Sequence, residues 1–115
     1  MSMIQEQAFE STQPKYARQY KMQEIAGASQ EELVLHIYDF AIQSCIRKDE
    51  EGVSKALAEL IDSLNFDYQE ISVGLFRLYE YMMRLVKSGV FEQPLDLLRK
   101  LRETWHEAIT KRRAA

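Results

Sequence analysis

The chain has 115 residues, of which 46% are hydrophobic and 29% are charged, so it supports one packed core and no second domain. The net charge of -3 argues against a nucleic-acid-binding protein, because neutralising phosphates requires a basic surface. Four glycines and two prolines are too few for the turns of a many-stranded sheet, so the composition favours long helices.

No run of about 18 apolar residues predicts membrane insertion, and the polar N-terminus does not resemble a signal peptide. We therefore expect a cytosolic protein. Its single cysteine, Cys45, lies among Ala41, Ile42 and Ile46, which predicts a small buried side chain rather than a reactive thiol.

The N-terminal region has little apolar pattern. Residues 1–13 show no helical period, and we expect them to be mobile. Residues 14–27 predict a short helix or arm, with Tyr16 and Tyr20 one turn apart and Ile25 beyond them. This apolar side is too thin for a bundle member. We expect the arm to lie in a groove, either of its own bundle or of a neighbouring molecule.

Residues 28–112 predict an all-α domain, an antiparallel four-helix bundle with short connections. The helices are expected at about residues 29–47, 50–64, 67–88 and 94–111. Ser29 and Glu32 form a capping box at the first start. The first helix has one narrow polar stripe and more apolar residues than one bundle face requires, so part of it needs a further cover.

The third helix has the densest apolar stretch. Its apolar residues form two adjacent rows, which predicts packing against two or more neighbours and a central position in the bundle. The first row contains Ile71, Leu75, Leu78, Met82 and Leu85, and the second contains Phe76, Tyr79, Met83 and Val86. Tyr81 lies on the opposite, polar side, where a large apolar side chain is unexpected.

The connections carry recognisable signals. The residues from Lys48 to Glu50 predict a tight turn, although a continuous helix is also compatible with the pattern. Asn65 suits a left-handed C-cap, and Asp67 with Glu70 suits the next helix start. Ser88 and Gly89 should end the third helix.

Charge is unevenly distributed. Residues 1–70 carry mostly acidic groups, whereas residues 71–115 carry mostly basic ones. Attraction between antiparallel neighbouring helices explains this division better than a field that steers a partner.

The sequence has no arrangement that predicts catalysis, a cofactor or a metal site. Glu103 and His106 have the Glu-x-x-His spacing of di-iron bundles, but Glu103 points away from the core side and His106 lies well off it. The other histidine, His36, lies on the polar stripe of the first helix. We find no phosphate loop and no nucleophile motif, so we expect a protein that is not an enzyme.

The sequence is instead rich in aromatic and methionine side chains on its predicted helices. They are typical of a groove that accepts another helix, although core packing explains each of them singly. The candidate partner contacts are Tyr38, Phe40, Tyr79, Tyr81, Met82 and Met83.

Three motifs, in order, resemble the flagellin export chaperone family (FliS). Ser29-Gln-Glu-Glu-Leu33 with Ile37-Tyr-Asp39 is similar to the family's Ser-Pro-x-x-Leu and Leu-Tyr-Asp opening. Leu75-x-x-Leu-Tyr-Glu-Tyr-Met82 is similar to its Asn-Leu-x-x-Leu-Tyr-Asp-Tyr-Met segment, and Leu98-x-x-Leu-Arg-x-x-Trp105 to its closing Leu-x-x-Leu-Arg-x-x-Trp. The chain departs at Gln30, Gly74 and Glu80 and lacks the usual Gly-Gly before the third helix.

The resemblance implies a cytosolic chaperone that binds the disordered C-terminal segment of flagellin, prevents premature polymerisation, and contacts the flagellar export gate once loaded. It also implies that the arm, with Tyr16, Tyr20 and Ile25, is a lid over the groove. Two alternatives remain: a chaperone for a different export substrate, and a self-associating regulatory or structural bundle. We expect a monomer or weak homodimer.

Overall fold

The computed structural model describes residues 30–114, and these residues form four α-helices and no strand. The helices are α1 (Gln30–Ile46), α2 (Glu50–Asp62), α3 (Gln69–Lys87) and α4 (Glu92–Ala114). The predicted all-α fold class, a four-helix bundle, is confirmed. The predicted mobile N-terminus, the arm and the Ser29 cap lie outside the described residues.

The helices are unequally packed against one another. Helix α1 packs against both α2 and α4, and α2 also packs against α3, but α3 and α4 touch only slightly. The prediction that the third helix is central is therefore wrong, because α1 has two full neighbours and α3 has one. Ile71, predicted to lie in a packed row, is 68% exposed. Helix α3 is an edge of the bundle.

The turn between α1 and α2 forms at residues 47–49, so the two helices are not continuous. Lys48 adopts the left-handed conformation, with φ 57. The carboxylate of Asp49 accepts a hydrogen bond from the Gly52 backbone N–H at 3.1 Å and caps α2. A Cβ at Gly52 would lie 2.6 Å from Ser44 Oγ, so glycine allows α1 and α2 to approach closely at this point.

The connection between α2 and α3 differs from the prediction. Ser63 is the C-cap of α2 and has a right-handed backbone conformation. Asn65 does not have a positive φ, so it is not the predicted left-handed cap. The Asn65 side chain instead accepts a hydrogen bond from the Asp67 N–H (2.9 Å), and its carbonyl accepts two, from the Ser72 hydroxyl (2.6 Å) and the Tyr68 N–H (3.1 Å). Tyr68 occupies the N-cap position of α3 without a side-chain bond, so the predicted Asp67 and Glu70 start is wrong.

Helix α3 ends where the sequence predicts. Ser88 is its C-cap, and Gly89 takes φ 83, a conformation that glycine adopts without steric cost. The Val90 N–H then donates to the Leu85 carbonyl at 2.9 Å, which closes the last turn. The chain reverses here into α4.

Ion pairs join α1 to α4. Arg102 donates to both carboxylate oxygens of Asp39, with the shorter bond at 2.5 Å. Beyond it, Arg112 pairs with Glu31, and Arg113 donates to Glu32 at 3.0 Å. Acidic groups in the first turn of α1 thus meet basic groups in the last turn of α4, as both helix dipoles favour. The acidic and basic halves of the sequence attract each other within the bundle.

Candidate partner-binding surface

Three of the six predicted partner contacts are core residues. Tyr38 and Met82 have no exposed surface, and Tyr79 is 2% exposed. They pack with apolar side chains of all four helices, among them Leu57 and Leu98. A partner therefore cannot touch these three side chains while the bundle stays closed.

A hydrogen bond connects the two buried tyrosines across the bundle. Tyr38 Oη of α1 and Tyr79 Oη of α3 lie 2.6 Å apart. Burial raises the pKa of Tyr38, and the hydrogen bond with Tyr79 and the neighbouring Trp105 side chain partly offset the rise. Burial also raises the pKa of Tyr79, and the neighbouring Tyr38 raises it further. Both phenols are therefore neutral near pH 7, and their bond satisfies two polar groups that would be costly to bury alone.

The other three predicted contacts reach the surface, but at different places. Phe40 on α1 is 47% exposed, and Tyr81 on α3 is 37% exposed. Met83 is half-buried against the core. Because residues two apart in a helix point in nearly opposite directions, Tyr81 and Met83 lie on different sides of α3. The structure does not bring these three side chains into one patch.

Sequence reasoning missed several exposed apolar side chains. They lie at helix ends, in the α2–α3 connection and on α3: Ile46, Phe66, Tyr68, Ile71 and Val90. Three of them, Phe66, Tyr68 and Ile71, belong to the stretch that opens α3. Scattered exposed residues are ordinary in a soluble protein, but neighbours in one stretch point to a contact surface.

Tyr81 and Ile71 belong to one continuous apolar row, which we call the α3 outer row: Ile71, Gly74, Leu78, Tyr81 and Leu85. Its spacing of three, four, three and four residues keeps it on one side of the helix. Leu78 and Leu85 are half-buried at its inner edge, and among the described residues no atom outside the adjacent backbone lies within 4 Å of the position of a Gly74 Cβ. Ile71, Gly74 and Tyr81 are exposed, and within residues 30–114 the contact between α3 and α4 is slight.

A shallow depression lies beside this row. It has a volume of about 500 Å³ and is lined by Gln69, Glu70, Val73, Gly74 and Arg77. The depression therefore lies along the N-terminal half of α3, and its lining includes one acidic side chain, Glu70, and one basic side chain, Arg77. The sequence did contain a signal for the row. Tyr81 lies three residues after Leu78 and four residues before Leu85, which places all three on one side of a helix.

The described residues offer little for metal or covalent chemistry. Among residues 30–114, no three His, Cys, Asp or Glu side chains are grouped to hold a metal ion. Glu103, His106 and His36 are all exposed. Burial raises the pKa of the Cys45 thiol to about 11, so it is protonated at neutral pH and a poor nucleophile. None of the four helices is both long and apolar enough to cross a membrane.

Comparison with known proteins adds one finding. The model of a family described as flagellar protein FliS matches residues 12–112. The match covers all four helices except the last two residues of α4. No curated protein and no solved structure matches the chain.

Proposed function

Because the chain belongs to the FliS family, whose members are flagellin export chaperones, we propose that it binds the C-terminal segment of flagellin in the bacterial cytosol. Binding would cover the apolar sides of that segment, prevent premature polymerisation and keep the chain competent for export. The observation that carries this proposal is the family match over most of the sequence. The protein would act by binding alone, without catalysis or a cofactor.

The α3 outer row gives the proposal a surface. A disordered segment that folds into an amphipathic helix can place apolar side chains at every third and fourth position along such a row. The row runs from Ile71 to Leu85, about 21 Å at the α-helical rise, which matches four turns of a partner helix. Tyr81, the fourth of its five residues, is the aromatic anchor of the row, and aromatic anchors supply much of the energy of such contacts.

The remaining predicted contacts take two roles. Phe40 and Met83 are surface contacts for other parts of the flagellin segment, which is long enough to cross more than one side of the bundle. Tyr38, Tyr79 and Met82 lie beneath the surface and hold the helices in position. The chain would reach the flagellar export gate only after flagellin is loaded.

We also propose that the N-terminal arm competes with flagellin, with Tyr16, Tyr20 and Ile25 as the competing side chains. These residues lie outside the described part of the chain. The topology supports the proposal, since α1 and α3 run in the same direction in an antiparallel bundle and begin at the same end. Gln30, the first described residue, therefore lies at the same end of the bundle as the exposed Ile71.

A test measures the fluorescence anisotropy of a labelled peptide from the flagellin C-terminus, about 50 residues long to supply several helices of typical length. Tyr81→Ala should weaken binding by roughly tenfold or more, as truncation of an aromatic anchor does. The matched control is Glu80→Ala, one residue away on a different side of α3, which should bind like the parent protein. A chaperone for another export substrate would instead ignore this peptide.

Thermal melting separates binding from folding in the same test. Tyr81 is not among the buried residues, so Tyr81→Ala should melt close to the parent protein. Equal loss of binding and of thermal stability would show that Tyr81 acts as a core residue, and would contradict its proposed role. Unchanged binding by Tyr81→Ala would remove the α3 outer row from the proposed site.

A further inference from the structure

A line of charged residues borders the α3 outer row. Glu70, Arg77 and Arg84 recur every seven residues, so they follow one edge of the row along its length, and we call them the α3 charged edge. All three residues are exposed. None of them forms an ion pair with another residue of the described part of the chain. The charged edge is therefore available to pair with charges on a partner.

Several other charged groups already pair within the bundle. Arg102 and Arg112 of α4 pair with acidic groups of α1, and Lys55 and Lys100 pair within their own helices. The α3 charged edge has no such role among the described residues. It borders the apolar side chains that a partner helix would cover.

The order of the charges along α3 favours one direction for a bound helix. Glu70 lies in the first turn of α3, and Arg84 lies in the last turn. A complementary helix needs a basic group opposite Glu70 and acidic groups opposite the two arginines. Because of the helix dipole, acidic groups are stabilising near a helix N-terminus and basic groups near a C-terminus. The complementary helix therefore begins near Arg84 and runs antiparallel to α3.

We infer that the α3 charged edge determines which helix binds the α3 outer row, and in which direction. The bound helix runs antiparallel to α3 and has two acidic side chains followed by a basic one, at intervals of seven residues along one edge. Its acidic groups face Arg84 and Arg77, and its basic group faces Glu70. That this helix is part of flagellin rests on the proposed function.

The charges also set the register of the bound helix. A slip of seven residues in either direction places one like-charged pair in contact, and a parallel arrangement places two such pairs in contact. Like-charged contacts reject a wrong arrangement even where each exposed ion pair adds little affinity. The apolar row supplies the affinity, and the charged edge supplies the discrimination.

Two designed peptides test the charged edge with the full chain. Each is a helix of about 21 residues, long enough to cover the row, with apolar side chains at three-residue and four-residue spacing. The matched peptide has Glu, Glu and Lys in that order along one edge, and the reversed peptide has Lys, Lys and Glu. In fluorescence anisotropy, the parent protein should bind the matched peptide roughly tenfold more tightly, since three attractive pairs replace three repulsive ones.

Reversal of the charges in the protein should reverse this preference. A triple variant with Glu70→Arg, Arg77→Glu and Arg84→Glu should bind the reversed peptide roughly tenfold more tightly than the matched one. Because both proteins are measured with both peptides, any difference in the helix stability of the peptides cancels. Both preferences should shrink between about 50 mM and about 500 mM salt, since the pairs are exposed.

A matched control separates the edge from net charge. Arg84→Glu should weaken binding of the matched peptide by roughly threefold to fivefold. Lys87→Glu makes the same change in charge, but Lys87 lies two residues after Leu85 and points away from the row. It should bind the matched peptide like the parent protein. Equal effects of the two variants would overturn the inference, because they would assign the effect to net charge.

A further peptide tests the direction of the bound helix. Replacing the Lys of the matched peptide by Glu should weaken binding to the parent protein by roughly threefold to fivefold. Glu70→Arg in the protein should then restore binding to within about twofold. In a parallel complex that peptide position would face Arg84, and the replacement would strengthen binding to the parent protein. That result would overturn the antiparallel arrangement.

The flagellin peptide separates this inference from the proposed function. The triple variant should bind it roughly tenfold more weakly than the parent protein does. Equal binding by both proteins would overturn the inference and leave the proposed function intact. Designed peptides that are discriminated as predicted, with no binding of flagellin, would support the charged edge and refute the proposed function. A parent protein that binds the two designed peptides equally, or binds neither, would overturn the inference.

Discussion

The bond between Tyr38 and Tyr79 gives a quantitative prediction about the core. Within residues 30–114, the two hydroxyls of Tyr38 and Tyr79 bond to each other, and Trp105 lies beside Tyr38. Tyr38→Phe leaves a buried phenol unpaired and should cost about 1–3 kcal/mol of unfolding free energy. Tyr79→Phe likewise leaves the buried Tyr38 hydroxyl without its phenol partner and should cost a similar amount, about 1–3 kcal/mol.

The double variant distinguishes a real bond from two independent side chains. Tyr38→Phe with Tyr79→Phe removes both hydroxyls and leaves neither of the pair unpaired. Its cost should therefore fall below the sum of the single costs by about 1 kcal/mol, the size of a typical net hydrogen bond.

Urea denaturation followed by tryptophan fluorescence is a suitable assay, since Trp105 is the single tryptophan and lies beside the pair. Additive costs within about 0.3–0.5 kcal/mol, the usual range for independent sites, would refute the bond.

Three further predictions concern glycine positions and alkaline pH. Gly52→Ala should destabilise the protein by about 1–3 kcal/mol in urea denaturation, because the new methyl group would overlap Ser44. Gly74→Ala should stabilise it by up to about 1 kcal/mol in the same assay, since the position is helical and open. The folded pKa of Cys45, about 11, exceeds its ordinary 9.0, so burial of the thiol stabilises the fold fully below pH 9, and this contribution is lost as the pH rises toward 11. Melting temperatures should fall over that range, and Cys45→Ala should delay the fall until tyrosine ionisation begins near pH 10.

Each of these predictions has a clear contrary result. A neutral Gly52→Ala would mean that α1 and α2 are farther apart than described. A destabilising Gly74→Ala, measured at low concentration, would mean that this side of α3 is covered within the monomer. An alkaline profile that Cys45→Ala leaves unchanged would assign the loss of stability to other groups.

The sequence predicts the fold class well because helical period and short connections are local properties. The turn at Lys48 and the end of α3 at Gly89 follow from residues a few positions apart. The start of α3 does not, because the Asn65 carbonyl accepts a hydrogen bond from the Ser72 hydroxyl seven residues later. The spacing of neighbouring residues does not indicate that bond. Local signals at that connection were compatible with more than one structure.

The candidate site was harder to predict because helical period identifies which residues share a side but not which neighbour covers that side. Tyr79 and Ile71 both lie on apolar rows of α3, yet one is buried and the other is exposed. The difference comes from the slight contact between α3 and α4, a property of the whole bundle. The Tyr38–Tyr79 bond joins residues 41 positions apart, so no local pattern could reveal it.

The central claim, that this bundle binds the flagellin C-terminus, is tested most directly by isothermal titration calorimetry at several temperatures. The parent protein is titrated with the C-terminal flagellin peptide. We expect binding of one peptide per subunit with a negative heat-capacity change, since the peptide folds and buries apolar surface as it binds. No binding at any temperature would contradict the claim, and binding without a heat-capacity change would contradict the burial of apolar surface on which it depends.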